Sequence, residues 1–498
     1  MNIKERLRKP LSNWIKFAVW AVIYILFIAW VGNFWWLLLL PFIFDIFITK
    51  FIPWSFWKKT KNKTLYSIFS WIDAIVFALV AVYFINIYLF QNYQIPSSSL
   101  ERTLLVGDFL AVSKCSYGPR IPNTPLSLPL VQHTIPGLNC KSYIEKPQWE
   151  YKRLKGWDTV ERGDIVVFNF PAGDTVPLNF SNPDYYTLCY SFAGELPQFR
   201  TSAHDSVTPY NTYKERMAAG RKMVRQRESS LGRVVWRPVD RRENYVKRCV
   251  ALPGDTLEIR DNAIYINGRL QENAPGVQHN YFVQTDGAQF SADALDRLNV
   301  NVLETMHMSS DASMSPYYNM IGLKPLADGS YGQIYLMALT QEALAKVKAM
   351  PAVKGVAIEK VLPEMGYTVY PLAYSGKWGR DNFGPLWIPA KGATIPLTED
   401  NIIRYERCIV NYEHNTLDYR DGRAYLNGEP ADTYTFKMDY YWMMGDNRHN
   451  SADSRSWGFV PEDHIVGRPV FVWLSLDKAK GWLDGKIRWN RFGKDASQ

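Results

Sequence analysis

Histidine and cysteine are both scarce in this chain: seven His and five Cys in 498 residues leave little from which to build a metal centre. The cysteines, Cys115, Cys140, Cys189, Cys249 and Cys408, form no CxxC pair and have no histidine at zinc-finger spacing, so no metal and no cofactor is expected. Their odd number leaves at least one thiol free and allows one disulfide. The histidines, His133, His204, His279, His307, His414, His449 and His464, stand in no nucleophile–base spacing, which weakens a Ser-His-Asp hydrolase. Basic residues interleaved with aromatics are missing from the polar part, so nucleic acid is not an expected partner. The excess of 57 Lys+Arg over 48 Asp+Glu points to anionic lipid instead.

Charge is nearly absent from one more region. Three apolar runs occupy about residues 14 to 31, 34 to 51 and 71 to 90, each near the roughly 20 residues that span a hydrocarbon layer as a helix. The third carries no charge from Ala74 to Phe90; the second contains Pro41 and Asp45 and reads as either a strained span or a re-entrant piece. A cleaved signal peptide does not fit, because the first run is too long and more runs follow. Lys4, Arg6, Arg8 and Lys9 precede the first run, and Lys50, Lys58, Lys59, Lys61 and Lys63 precede the third. The positive-inside rule puts both groups in the cytoplasm, and either form of the second run then places everything after about residue 91 on the far side of the membrane.

The polar remainder reads as mainly β, with strand-like runs DFLAVSK, DIVVFNF, NYVKRCVAL, DTLEIRDNAIYING, YWMMG and PVFVWLSL. Helical periodicity is confined to stretches near Tyr213 to Arg227 and Thr340 to Ala352. DTLEIRDNAIYINGR at 255–269 recurs as NTLDYRDGRAYLNGE at 415–429, which predicts two similar hairpins flanking an inserted stretch, unless shared turn vocabulary alone produces the echo.

Three constellations could carry chemistry. Directly after the third run comes QIPSSSLERTLLVGDFLAVSK, with Ser97, Ser98 and Ser99; serines there also suit a plain linker. Nine extended residues from Phe90 reach at most about 30 Å, so Ser99 stays near the bilayer. In NYVKRCVALPGDTLEI, Lys247 sits inside an apolar strand. Pointing outward it is an ordinary solvated lysine; pointing inward it loses the energetic preference for its charged form and becomes a base that can activate a serine without histidine. The third, MMGDNRHNSADSRSWGFVPEDHIVGR, crowds Asp446, Asn447, Arg448, Asn450, Ser451, Asp453 and Arg455 together, either as a self-bonded loop or as support for the lysine.

In this order, and after apolar spans, PSSSLERTLLVGDFLAVSK, RGDIVVFNFP with YVKRCVALPGDTLEI, and GDNRHNSADSRSWGFVPEDHIVGR resemble the boxes of bacterial type I signal peptidases, over roughly a quarter of the chain. The resemblance implies antiparallel sheets of the signal-peptidase type, N-terminal transmembrane helices and a large α+β insertion. It makes Ser99 the nucleophile and Lys247 the general base, with the Ser97 hydroxyl and the Ser99 N–H as oxyanion hole. Ser451 would orient Lys247, and Asp446 with Arg248 and Asp453 with Arg455 would be supporting pairs. Ile95, Leu104, Leu110, Val167 and Val246 would line small pockets for residues −3 and −1 of a signal peptide. Leu100, Arg102 and His449 depart from the usual Met, Pro and Asp.

The implied division is a membrane anchor (1–92), core pieces at 93–172, 243–270 and 435–498, and inserts at 173–242 and 271–434. Partners implied are signal peptides of exported preproteins, membrane lipid and nearby translocation machinery, at a bacterial inner membrane with the catalytic part outside. Trp378 and Trp387 suit either a lipid-facing surface or a core. Two other readings use the same residues: a non-catalytic tethered scaffold, and a Ser-Lys protease dedicated to one substrate.

Overall fold

The computed structural model describes the chain apart from residues 1–6, 33, 55, 139, 172–175, 181, 200–205, 362–367, 479 and 498. Lys4, Arg6 and His204 therefore lie outside the described residues. The chain divides into two compact units, residues 1–91 with 114–158, and residues 92–113 with 159–498.

In the first unit a sequence that is apolar without a charge from Phe17 onward makes helix Leu11–Val31, which stops where Gly32 turns left-handed at φ 68 and its N–H closes on the Ile28 carbonyl. The third apolar run starts earlier than its pattern suggested. Helix Lys63–Tyr88 begins where the Asn62 side chain accepts from the Thr64 and Leu65 N–H groups, capping two orphan donors. Both helices are long and apolar enough to cross a membrane. Between them the second run breaks into a 3₁₀ turn Phe34–Leu39, a short helix Leu40–Phe44 and a π turn Asp45–Thr49. Asp45 ends it: its carboxylate accepts from Phe51 N, Ile52 N and Trp54 Nε1, and from the Thr49 hydroxyl. At 16 residues it falls short of a straight helical span.

The second unit is mainly antiparallel β. Strand Phe90–Gln94 carries the chain into a seven-stranded sheet that continues through Asp108–Ser113, Ile465–Ser475, Ile165–Asn169, Asn244–Ala251, Tyr440–Met444 and Val460–Pro461. From Asp108–Ser113 onward neighbours are antiparallel. A four-stranded sheet of Met306–Met308, Gln333–Leu339, His279–Thr285 and Val353–Ile358 lies within the long stretch after residue 271. The sequence echo is structural. Thr256–Arg260, Ala263–Ile266 and Arg269–Leu270 form a meander matched by Leu417–Arg420, Arg423–Leu426 and Glu429–Pro430.

Both expected helices exist, as Tyr210–Gln226 and Gln341–Lys348, and others such as Tyr185–Ala193 and Glu399–Glu406 join them. Tyr185–Ala193 escaped notice because YYTLCYSFA is buried nearly all round and shows no polar face. Two open alternatives are resolved. All five cysteines are unpaired, so the possible disulfide does not form. Trp378 takes the core role, buried against Tyr374 and Phe383, and half-buried Trp387 packs on the same core.

Candidate active site

Strand Asn244–Ala251 is flanked by Ile165–Asn169 and Tyr440–Met444, with Val166 opposite Lys247 and Ile165 and Met444 opposite Arg248. The Lys247 side chain projects from one face of this sheet and is covered there, leaving it 3% exposed. Its Nζ lies 2.6 Å from Ser99 Oγ and 3.1 Å from the Val246 carbonyl, with the Tyr245 ring 5.6 Å away on the same face of the strand. Burial lowers the Lys247 pKa to about 8, against a partial pull upward by Asp453 and Asp446. The structure thus brings together the two residues singled out from sequence. Ser97 Oγ stands 3.5 Å from Ser99 Oγ.

The support around them is dense. Asp446 takes two hydrogen bonds from the Arg248 guanidinium, at 2.8 and 2.7 Å, and one at 2.6 Å from the Thr103 hydroxyl. One carboxylate so ties the lysine strand, the serine turn and the third box. Burial pushes the Asp446 carboxyl up, and Arg248 and Thr103 outweigh it, leaving the pKa below its ordinary value. Asp453 likewise pairs with the Arg455 guanidinium at 2.9 and 2.7 Å, caps the Arg455 N–H, and accepts from Gly445 N, which fixes the turn after the strand. Arg455 reaches on to the Arg448 carbonyl.

Ser451 makes its hydrogen bond to the Ala452 carbonyl at 3.4 Å; no bond to Lys247 accompanies it among the described residues. Ile95, Leu104, Leu110 and Val167 gather in one apolar cluster, yet each is at most 2% exposed. Only Val246 and Tyr93, half-buried at its margin, leave area for a ligand.

Several contacts of these boxes were not foreseen. Asn447 N–H donates to the Ser99 carbonyl at 3.0 Å, and its side chain spans Ser98 O and Glu304. Gly445 has no room for a Cβ, which would fall 2.2 Å from Ser451 Oγ and 2.6 Å from the Ser99 carbonyl oxygen. Glu101 is buried two residues past the serine, its pKa raised to about 6 by desolvation. Arg102, at φ 73, takes a backbone conformation that the proline usual at this position cannot adopt. A glycine or asparagine inside a polar box shows its role only through three-dimensional proximity; Thr103 carried no signal at all. His449 sits away from the dyad, against Asn280 N and Asn262, beside Glu359.

A sequence model described as signal peptidase, peptidase S26, matches residues 68–315 and 399–474, well beyond the quarter of the chain that carried the resemblance. Among curated proteins, the chain is 21% identical over 440 residues to "Signal peptidase I" of Buchnera aphidicola subsp. Acyrthosiphon pisum, covering 88% of this chain and 84% of that one. It is 53% identical over 106 residues to the Haemophilus influenzae protein of that name, 21% of this chain and 29% of that one. With the Pseudomonas aeruginosa protein the identity is 41% over 69 residues, 12% and 22% of the two chains.

Proposed function

The chain belongs to the signal peptidase family, peptidase S26, and from that premise we propose that it is a membrane-bound serine endopeptidase that removes N-terminal signal peptides from exported preproteins, Ser99 attacking and Lys247 acting as base. One observation carries this: a buried amine whose pKa falls to about 8, 2.6 Å from a serine hydroxyl. At pH 7 about one lysine in ten is then neutral, against a negligible fraction for an ordinary lysine.

Neutral Nζ takes the Ser99 proton as Oγ adds to the scissile carbonyl. The Ser97 hydroxyl and Ser99 N–H stabilise the oxyanion. The Lys247 ammonium then returns its proton to the leaving amine, releasing the mature protein and leaving the signal peptide esterified to Ser99. The same amine activates water to hydrolyse the ester. Asp446 with Arg248 and Asp453 with Arg455 hold the framework, and Ser451 orients the amine during turnover. Small side chains at −3 and −1 of a signal peptide would rest on Val246, with Ile95, Leu104, Leu110 and Val167 forming the apolar floor beneath; the half-buried Val246 and Tyr93 at the margin of that cluster support this.

The reading extends to location. Residues 11–31 and 63–88 cross the inner membrane, the broken second run returns the chain to the cytoplasmic side, and the catalytic unit faces outward, beside the translocation machinery that delivers preproteins. Trp482, Leu483, Trp489 and Phe492, all at least 67% exposed and interspersed with Lys478, Lys480 and Lys486, support lipid contact by the catalytic unit itself. The strands between residues 271 and 434 are an elaboration of this core.

The test is cleavage of a panel of signal peptides by purified wild type, Ser99→Ala and Lys247→Met. Both variants should fold and lose roughly 10³-fold or more in rate; normal turnover by either sinks the dyad, and cleavage of a single precursor from the panel would turn the reading toward a dedicated processing protease.

A further inference from the structure

Residues 121–140 contain no Asp, Glu, Lys or Arg, yet include Leu126, Leu128, Leu130, Leu138, Ile121, Ile135 and Val131. The chain here folds back as a hairpin held by its own backbone. Leu128 N–H donates to the Ser142 carbonyl, Ile144 N–H to Leu126, Ser142 N–H to His133 and Ile135 N–H to Cys140. A structure this ordered has a defined outer face. Ser127 bridges Tyr143 and the chain turns at Leu130, whose φ is 66; around that turn Leu126, Leu128 and Leu130 are 51%, 47% and 72% exposed. Ile144 beside Leu126 is 60% exposed and Leu138 at the tip 73%. Small or polar residues, Thr124, Ser142 and Tyr143, are the buried ones.

The hairpin is fastened to the apolar helices of its own unit. The Tyr83 hydroxyl donates to the Pro125 carbonyl at 2.5 Å. Tyr83 lies five residues before the end of helix Lys63–Tyr88, about 7 Å down its axis. At the base of the excursion, Leu154 packs with Val31 and Tyr88 while Ile121 joins the same cluster, the Lys152 ammonium caps the Val31 carbonyl and Trp30 Nε1 donates to Lys155 O. The Lys152 ammonium thus sits at the end of helix Leu11–Val31, and Pro125, beside Leu126, stands at the depth of the last turns of helix Lys63–Tyr88.

We propose that residues 121–138 and 140–144 form an interfacial membrane hairpin whose exposed leucines are covered by lipid, at the acyl–headgroup boundary beside helix Lys63–Tyr88. The depth of the Tyr83–Pro125 bond fits the 5–10 Å to which apolar interfacial faces sink. Basic Lys141, Lys146, Lys152 and Lys155 on the return strand and base supply the headgroup-level charge such segments carry. This rests on the reading that helix Lys63–Tyr88 spans the membrane, and the test separates the two.

Cys140 is the exposed cysteine, the other four being buried. In full-length protein in lipid nanodiscs, on a Cys140→Ser background, nitroxide labels go on three variants: Leu138→Cys in the hairpin, Val76→Cys in mid-helix and Lys391→Cys on the exposed surface of the catalytic unit. Collision with oxygen, which concentrates in lipid, is compared with collision with a water-soluble nickel chelate. The 138 label should favour oxygen as the 76 label does, and the 391 label should favour nickel. A 76 label in lipid with a 138 label open to nickel overturns the hairpin proposal alone. A 138 label shielded from both means that protein covers the face, which also overturns it. Labels at 76 and 138 both open to nickel remove the spanning helix and the hairpin together.

Discussion

A lysine in the middle of a sheet is an energetic liability, and its sign can be worked out. The Lys247 pKa drops from 10.5 in an ordinary setting to about 8, so between those values the unfolded chain holds a proton the folded chain has lost. Stability then rises with pH across that window, and below pH 8 the fold bears the full cost, roughly 3 kcal/mol. Lys247→Met, nearly isosteric and apolar, should therefore melt at higher temperature than wild type at pH 7, with the gap shrinking as pH approaches 10; a lower melting point at pH 7 would show the amine is not desolvated. The cleavage rate at limiting substrate should climb through an apparent pKa near 8 and level off above it, and a rate flat between pH 6 and 9 would remove lysine as the base. Gly445→Ala should lose roughly 10²-fold in rate, because a methyl group 2.6 Å from the Ser99 carbonyl must displace the serine turn. Tight binding of an uncleaved signal peptide by this variant, seen by calorimetry, would locate the damage in chemistry. Lys247 stood out in the sequence as a charged residue inside an apolar strand, and the resemblance of the serine box to signal peptidases singled out Ser99 as its partner. Gly445 and Thr103 were not, and Asn447 was legible only as one member of a polar box, since their work consists of meeting segments hundreds of residues away.

At the scale of elements, the repeated meander shows what a pattern of turn residues can encode. In both copies an asparagine takes a left-handed conformation, Asn267 at φ 52 and Asn427 at φ 53, and each is followed by glycine. Each side-chain oxygen accepts from the N–H eleven residues earlier, Thr256 at 2.8 Å and Thr416 at 2.9 Å. Each amide group also donates to the residue before that, Asp255 or Asn415. Asn267→Ala and Asn427→Ala should each cost about 1–2 kcal/mol in denaturant unfolding, from a lost hydrogen bond and a strained turn. A cost confined to one copy would mean that the two hairpins are alike in shape only. Strands were legible here because turn chemistry and alternation agree. The short helices were not, since a helix buried on every side offers no amphipathic period, and Tyr185–Ala193 lies close enough to helix Tyr210–Gln226 that a Cβ on Gly220 would meet the Cys189 carbonyl at 2.0 Å.

Taken as a whole molecule, the chain joins a charge-poor anchor to a polar β unit, and the proposed direction of insertion rests on which loops are basic. Four lysines, at 58, 59, 61 and 63, stand immediately before helix Lys63–Tyr88 or open it, and moving them across a bilayer costs far more than leaving them in place. A single crossing by that helix exports everything behind it, whatever the path of the shorter broken run. An epitope tag placed after Gln498 should accordingly be digested by protease added to the outside of spheroplasts while a tag before Met1 survives. Replacing Lys58, Lys59 and Lys61 with Glu weakens the signal that retains this loop, so the digested fraction of the C-terminal tag should fall and unprocessed preproteins should accumulate in proportion. A C-terminal tag resistant in intact spheroplasts but cleaved after lysis would place Ser99 on the wrong side of the membrane for any exported substrate, however well formed its contact with Lys247.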